Sequence, residues 1–434
     1  MPCRVVVQCV QLTLPYNNPM HRDTLTKLQL AKLNALLEEV RRSNPFYQRK
    51  LAALPPGQIT SLPAFAALPF TTKQELLDDQ AAQPPYGSNL TYSQENYVRY
   101  HQTSGSHGVP LRWLDTAASW QWCLELWRII FGMAGVTARD RLFFPFSFGP
   151  FIGFWAAFEG ACKLGHMCIP GGGMTTLARL RTILENDITV VCCTPTYALH
   201  LVETARKEHL PLNPSPVRAL ILAGEPGASI PATRERIADG FGARVFDHWG
   251  MTEIASLGME CQENPGGFHL LETECIPEII DPATDQAVPP GQEGELVITN
   301  LGRWGSPVLR YRTGDRVLAD PRPCPCGRNW LRLRGGIRGR TDDMVIIKGN
   351  NVYPAMIEAV VRRFPEVTEY QIQVEGNATR THLKVLMETS TAVAVQVAEA
   401  LRDAYLFRPE VVAVPPGTLP RSEMKAQRWV RKIE

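Results

Sequence analysis

The sequence predicts an α/β protein with a large N-terminal domain of parallel strands flanked by helices. That domain carries a β-rich subdomain and is followed by a small α+β domain. Three observations predict this. Short apolar runs, "DITVVCCTP" (187–195), "VRALILAG" (217–224) and "GARVFDHWG" (242–250), alternate with helical patterns such as "PATRERIADGF". Bounded apolar strands separated by helices are the signature of a parallel sheet covered on both faces. After "PPGQEGELVIT" the texture changes to short strands and turns, which places the β-rich subdomain at about 260–335. From about residue 341 the chain reads strand, helix, strand, strand, helix in "MVIIKG", "PAMIEAVVRRF", "TEYQIQVE", "THLKVLMET" and "VAVQVAEALRDAY", a compact unit of its own. The expected domains are therefore 1–340 and 341–434.

Taken in order, Leu25, Leu28, Leu33, Leu36, Leu37 and Val40 recur at helical spacing, which predicts an amphipathic helix starting near Asp23 or Thr24. Thr71 and Thr72 precede "KQELL", a capped helix start. In "YHQTSGSHGVPL" (100–111), Thr103, Ser104 and Ser106 offer hydroxyls, while Gly105 and Gly108 let backbone N–H groups converge on an anion. The stretch looks like a loop built to hold phosphate, with an ordinary turn as the other reading, and it lacks a lysine, because Val109 and Pro110 stand where a P-loop needs a cation and a Mg²⁺ ligand. The uncharged run 142–158 approaches membrane-spanning length, but Pro145, Gly149, Pro150 and Gly153 break it as a helix. It reads as buried core or pocket wall. Ligands on open parallel sheets collect at the carboxyl ends of the strands, here Thr194, Gly224, Glu225 and the stretch from Asp247 to Glu253.

With 44% hydrophobic residues in 434, the chain buries a large core, and 45 basic against 43 acidic residues give nothing global to draw it to nucleic acid or an anionic membrane. No signal-length apolar core opens the sequence, and eleven scattered cysteines read as reduced thiols, so the expected location is cytoplasmic. Four of the ligand-type residues stand apart: the C-x-C pair Cys324 and Cys326, with Cys261 and His269 in "ECQENPGGFH", make a Cys₃His set for a structural Zn²⁺.

The order of the motifs carries more than any one of them. "TSGSHG", "AGEP", "DHWGMTE", "YRTGD", "GRTDD" and "LPRSEMKAQR" resemble the motif series of the adenylate-forming enzymes, and "LPFTTKQELL", "IPGGGMTT", "CTPTYAL", "CPCGR" and "DDMVIIKGNNVYPAMIE" look like the phenylacetate:CoA ligase branch. The resemblance runs over roughly residues 22 to 434. It implies an ATP-dependent acid:CoA ligase with a mobile C-terminal domain, using ATP, Mg²⁺ and coenzyme A on an aryl or arylacetic acid. By that resemblance Thr103, Ser104, Gly105, Ser106 and Gly108 hold phosphate, and Gly224, Glu225, Pro226, Asp247 and Trp249 line the adenine. Thr252 and Glu253 serve the reacting phosphate, Glu253 as the Mg²⁺ ligand, while Asp315 and Arg340 take the ribose and phosphate. Asp342 falls on the hinge, Gly349 on the pantetheine tunnel, and Lys425 supplies the cation that the phosphate loop lacks. Phe144, Phe146, Phe148 and Tyr197 fall where this branch forms its acyl pocket. The chain departs from the family pattern at Val109 (a lysine elsewhere), His107 (a hydroxyl residue) and Trp249 (a tyrosine). Two alternatives stay open on sequence: transfer of the acyl group to a separate carrier protein, and a non-catalytic nucleotide-binding homologue. Dimers are common among such relatives, so a homodimer is expected.

Overall fold

The structure is a computed structural model describing residues 20–103, 109–341, 343, 345–347, 350–377, 380–405, 409–421 and 428–433. At its centre lies an eight-stranded sheet. From one edge to the other its strands are Arg332–Arg334, Gly267–Leu270, Ala255–Met259, Arg244–Met251, Ala219–Leu222, Val190–Cys193, Arg141–Phe144 and Met167–Pro170. The last five run parallel and include all three of the apolar strands read from the sequence. Alternate residues face two separate cores: Phe144, Val190, Cys192, Ala219 and Ile221 pack on one side, Phe143, Val191, Cys193, Leu220 and Leu222 on the other. Burial on both faces is why these strands are continuously apolar rather than alternating.

The stretch from 260 to 335 does not form one β-rich subdomain. Gly267–Leu270 and Arg332–Arg334 extend the large sheet, pairing antiparallel beyond Ala255–Met259. Cys275–Ile280, Glu293–Asn300, Tyr311–Leu318 and Gly339–Arg340 make a separate four-stranded sheet. The outer strands of the stretch are captured by an open sheet edge that would otherwise present unpaired N–H and C=O groups.

The first helix spans Arg22–Ser43 with His21 as its cap, one to two residues before the expected start. Its buried stripe contains Gln29 in place of Leu28, because the Gln29 amide donates to the Glu272 and Cys275 carbonyls at 3.0 and 2.9 Å. Thr72 and Glu75 form a full capping box on Lys73–Ala82. The run 142–158 divides into the Arg141–Phe144 strand, a loop and the Trp155–Lys163 helix, and no described helix is long and apolar enough to cross a membrane.

The C-terminal part has its own hydrophobic core, drawn from residues between Val345 and Leu401. Its sheet order is Glu410–Val414, Arg380–Glu388, Tyr370–Asn377, Trp429–Ile433, with the outer strands parallel to their neighbours. Both outer strands are absent from the five-element sequence pattern: "EVVAV" and "WVRKI" are short, and the second carries two cations.

Candidate active site

The Arg244–Met251 strand turns sharply into Ala255–Met259, and the turn presents Thr252 and Glu253. Glu253 is 2% exposed, and among the described residues the one hydrogen-bond donor to its carboxylate is the Tyr311 hydroxyl, at 3.1 Å. A buried carboxylate with one donor is under-solvated, which fits an oxygen ligand awaiting a cation. Burial, then the Glu253 charge, pushes the Tyr311 hydroxyl well above its ordinary acidity range, keeping it a donor.

Thr252 is held from behind. Arg303 and Asp115, both fully buried, form a two-bond pair at 2.7 and 2.6 Å, and a further Arg303 N–H donates to the Thr252 carbonyl. His101, in the strand leading to the phosphate loop, stacks on Trp120 and lies 3.9 Å from Asp115. Burial, with the Arg303 charge, lowers its pKa to about 4, so it stays neutral. Its neighbour Gln102 donates its backbone N–H to the Pro150 carbonyl at 2.7 Å, seating the base of that loop on the aromatic segment. No motif announced Arg303 or Asp115; only a long-range pairing across 188 residues makes them a unit.

Asp315 and Arg340 are register partners on adjacent strands. Arg340 donates to one Asp315 oxygen at 3.1 Å, and the Trp249 indole N–H donates to the other at 2.9 Å. One face of Trp249 stacks at 11° on Phe268. Asp247 is buried beneath Gly336, whose φ of +64° lets the backbone approach; a Cβ there would stand 2.8 Å from the Asp247 carboxylate.

At the ends of the neighbouring strands, Thr194 caps the Pro195–Lys207 helix by accepting from the Tyr197 N–H at 3.2 Å. The Thr196 N–H donates to Glu225 at 2.8 Å. Burial raises the Glu225 pKa and the nearby Arg428 charge partly offsets it. Gly224 and Pro226 flank Glu225 on the same exposed turn. Tyr197 is fully buried, with its hydroxyl donating to Thr176 at 3.3 Å and Arg179 over its ring. Phe144 packs edge-on to Phe158 in the core, whereas Phe146 and Phe148 meet at 5.5 Å in the loop after the strand. Gly153, at φ +28°, leaves room for Phe146, since a Cβ would lie 2.3 Å from the ring. Thr103, the last described residue before 104–108, accepts at its hydroxyl from the Leu111 N–H at 3.0 Å. Ser104, Gly105, Ser106, Gly108, Asp342, Gly349 and Lys425 lie outside the described residues.

Cys261, His269, Cys324 and Cys326 converge, their ligand atoms all within 4.8 Å of one another. Cys261 and Cys324 sulfurs are 3.6 Å apart, and the Cys326 sulfur is 3.4 Å from His269 Nε2. A tetrahedral Zn²⁺ with ordinary bond lengths sets those edges at about 3.8 and 3.6 Å. His269 Nδ1 lies 3.2 Å from the Trp330 carbonyl, which selects the tautomer whose Nε2 lone pair faces the sulfurs. A hydrogen bond from Cys261, aided by His269, holds the Cys326 thiol far below its usual range.

The sequence profile of AMP-binding enzymes matches residues 49–302, and that of the AMP-binding enzyme C-terminal domain matches 349–432. The chain belongs to the AMP-binding enzyme family. It is 31% identical to a phenylacetate-coenzyme A ligase of Thermus thermophilus, covering 94% of this chain and 96% of that one. A phenylacetate-coenzyme A ligase of Escherichia coli is 29% identical, with 94% of each chain covered. Among solved structures, 2-hydroxyisobutyryl-CoA ligase in the postadenylation state with 2-HIB-AMP superimposes with a TM-score of 0.90 at 28% identity, covering 96% of this chain and 92% of that one. The same enzyme in the thioesterification state gives 0.74 over 97% and 92%. In this AMP-binding enzyme Asp247, Trp249, Thr252 and Glu253 stand on or just after the Arg244–Met251 strand of the large sheet, and Asp315 and Arg340 meet them from the separate four-stranded sheet through the Trp249–Asp315 bond. Phe144 shares the large hydrophobic core with Trp249.

Proposed function

We propose that the chain is an ATP-dependent acid:CoA ligase that activates a carboxylic acid as its acyl-adenylate and then passes the acyl group to the thiol of coenzyme A. The carrying observation is Asp315, whose two oxygens bridge Trp249 and Arg340 beside the buried Glu253. A carboxylate so placed can exchange its indole and guanidinium donors for two ribose hydroxyls while Trp249 offers its other face to adenine. Superposition at 0.90 on an acyl-adenylate complex supports the same reading.

In the first step a carboxylate oxygen of the acid attacks the α-phosphorus of ATP and pyrophosphate leaves. In the second, the CoA sulfur attacks the acyl carbon, AMP leaves and the thiol proton is released. Glu253 would hold Mg²⁺, which neutralises charge on the phosphates as pyrophosphate departs. Arg303 and Asp115 fix the Thr252–Glu253 turn for it. Lys425 is assigned the cation of the first step, with Thr103 and the loop after it carrying phosphate. Asp342 is assigned the hinge of a C-terminal domain beginning near residue 341, and Gly349 the thiol's path. The Cys₃His set would bind a structural Zn²⁺, since four protein donors leave no open position. Phe146 and Phe148, in the loop against which the phosphate-loop strand rests, favour an arylacetic acid.

The test is acid-dependent pyrophosphate release with Mg·ATP across aryl, arylacetic, hydroxy and fatty acids, with and without CoA. An arylacetic acid is expected to lead, and Lys425→Ala should cut its release about 10²-fold. Silence across the acids, or full activity in Lys425→Ala, would sink the proposal.

A further inference from the structure

Arg428 is clamped almost entirely by its own part of the chain. Its Nε and Nη2 donate to the two oxygens of Glu369 at 2.6 and 3.1 Å, its guanidinium lies over the Tyr370 ring at 5.1 Å, and Glu358 stands 3.9 Å away. The nitrogen nearest Glu358, Nη1, is the one that also faces outward. Nη1 crosses to the large part and donates to the Thr196 hydroxyl at 3.0 Å. Thr196 opens the Pro195–Lys207 helix, and its N–H is the group bonded to Glu225 in the "AGEP" turn. A guanidinium held rigidly on one side and offering a single donor across a seam is pre-organised as a pin, because little side-chain entropy is lost when the crossing bond forms.

A cavity between the two parts is lined by Thr196, His200 and Glu203 on one side and by Arg362, Glu369 and Arg428 on the other. On the Pro231–Phe241 helix, burial and then the like charge of Arg362 lower the affinity of Arg236 for a proton, against the opposing charge of Glu203 at 3.7 Å. A cavity and a like-charge approach in the seam suit a junction that can open.

The chain superimposes at 0.90 on the postadenylation form of 2-hydroxyisobutyryl-CoA ligase and at 0.74 on its thioesterification form, two structures that differ in arrangement. We propose that Arg428 is a positioning residue for adenylation: its bond to Thr196 pins the C-terminal part against the nucleotide edge in the first half-reaction and is given up for the second. Arg428 stands three residues after Lys425 in sequence. The inference rests on the ligase reading and adds the device that holds its first arrangement.

Three variants test it, with the half-reactions measured apart: acid-dependent ATP–pyrophosphate exchange, and thioester formation from added phenylacetyl-adenylate and CoA. Thr196→Val keeps the size and the N–H to Glu225 but removes the crossing acceptor. It should slow exchange roughly tenfold while thioester formation stays within about twofold. Arg428→Ala should show the same split more strongly, about 10²-fold, and Arg428→Lys should recover only part of it. Should Arg428→Ala fail to fold because Glu369 loses its two-bond partner, Thr196→Val alone decides. Equal loss in both half-reactions, or no loss in exchange, overturns the pin while leaving the ligase reading intact. A wild-type protein with no exchange on any acid overturns both.

Discussion

Asp247 and Glu260 are two buried carboxylates beside one guanidinium, Arg234. Glu260 takes the Arg234 bond at 2.9 Å and the backbone N–H groups of Asp247 and Gly266 at 2.7 and 2.8 Å, so the negative charge settles there. The proton therefore stays on Asp247, whose pKa rises to about 8 from burial and the Glu260 charge. A carboxyl raised above its ordinary 3.8 contributes stability that is complete below that value and is lost as the pH climbs through 8. Thermal melts from about pH 6 to 9 should thus fall more steeply in the wild type than in Asp247→Asn. Parallel curves would place the proton elsewhere. Arg303 makes a second case at this scale. Arg303→Met strands the fully buried Asp115 and should cost about 3–5 kcal/mol in urea unfolding. Arg303→Lys keeps the charge but cannot hold both Asp115 oxygens and the Thr252 carbonyl, so exchange activity should suffer more than stability. Neither residue was legible in the sequence, because a buried ion pair across 188 residues has no local pattern, whereas Glu253 and Asp315 stood in recognisable runs.

At the scale of elements, the parallel strands were readable since burial on both faces writes a continuous apolar run, and the Thr72 capping box since its chemistry is local. Sheet membership was not. The Gly267–Leu270 strand looks the same in sequence whichever sheet accepts it, and it joins the large one by pairing with Ala255–Met259 on one side and Arg332–Arg334 on the other. The Cys₃His cluster sits on that junction: Cys261 follows one strand, His269 lies within the next, and Cys324 and Cys326 precede the third. Its metal would tie the outer strands of the sheet to the parallel core that positions Asp247 and Trp249. Elemental analysis should find one zinc per chain in the wild type and none in Cys324→Ser. Amide exchange in Gly267–Leu270 and Arg332–Arg334 should then quicken about tenfold or more, while Val190–Cys193 stays protected. A metal-free wild type with the same protection would remove zinc from the account.

Over the whole molecule, what the sequence could not convey is how the C-terminal part sits, because several arrangements satisfy the same local patterns and only contacts between distant segments choose among them. Among the described residues, two such contacts are Arg428 on Thr196 in the seam and Tyr353 lying against Gly339, where an added Cβ would meet that ring at 2.7 Å. If the two half-reactions need two arrangements, the pin and the hinge must fail in opposite directions. Breaking the pin frees the C-terminal part and harms adenylation. With Asp342 as the proposed hinge, a proline there would fix φ and limit the residue before it, holding the C-terminal part and harming the second step. Asp342→Pro should therefore keep pyrophosphate exchange within about threefold and lower thioester formation from phenylacetyl-adenylate by about 10²-fold, the mirror of Thr196→Val. In the double variant each half-reaction should show its own loss, about tenfold or a little more in exchange and about 10²-fold in thioester formation, since each change acts on a different step. A proline variant that forms thioester at the wild-type rate would mean that one arrangement serves both steps, and the difference between superpositions at 0.90 and 0.74 would then have no bearing on this chain's catalysis.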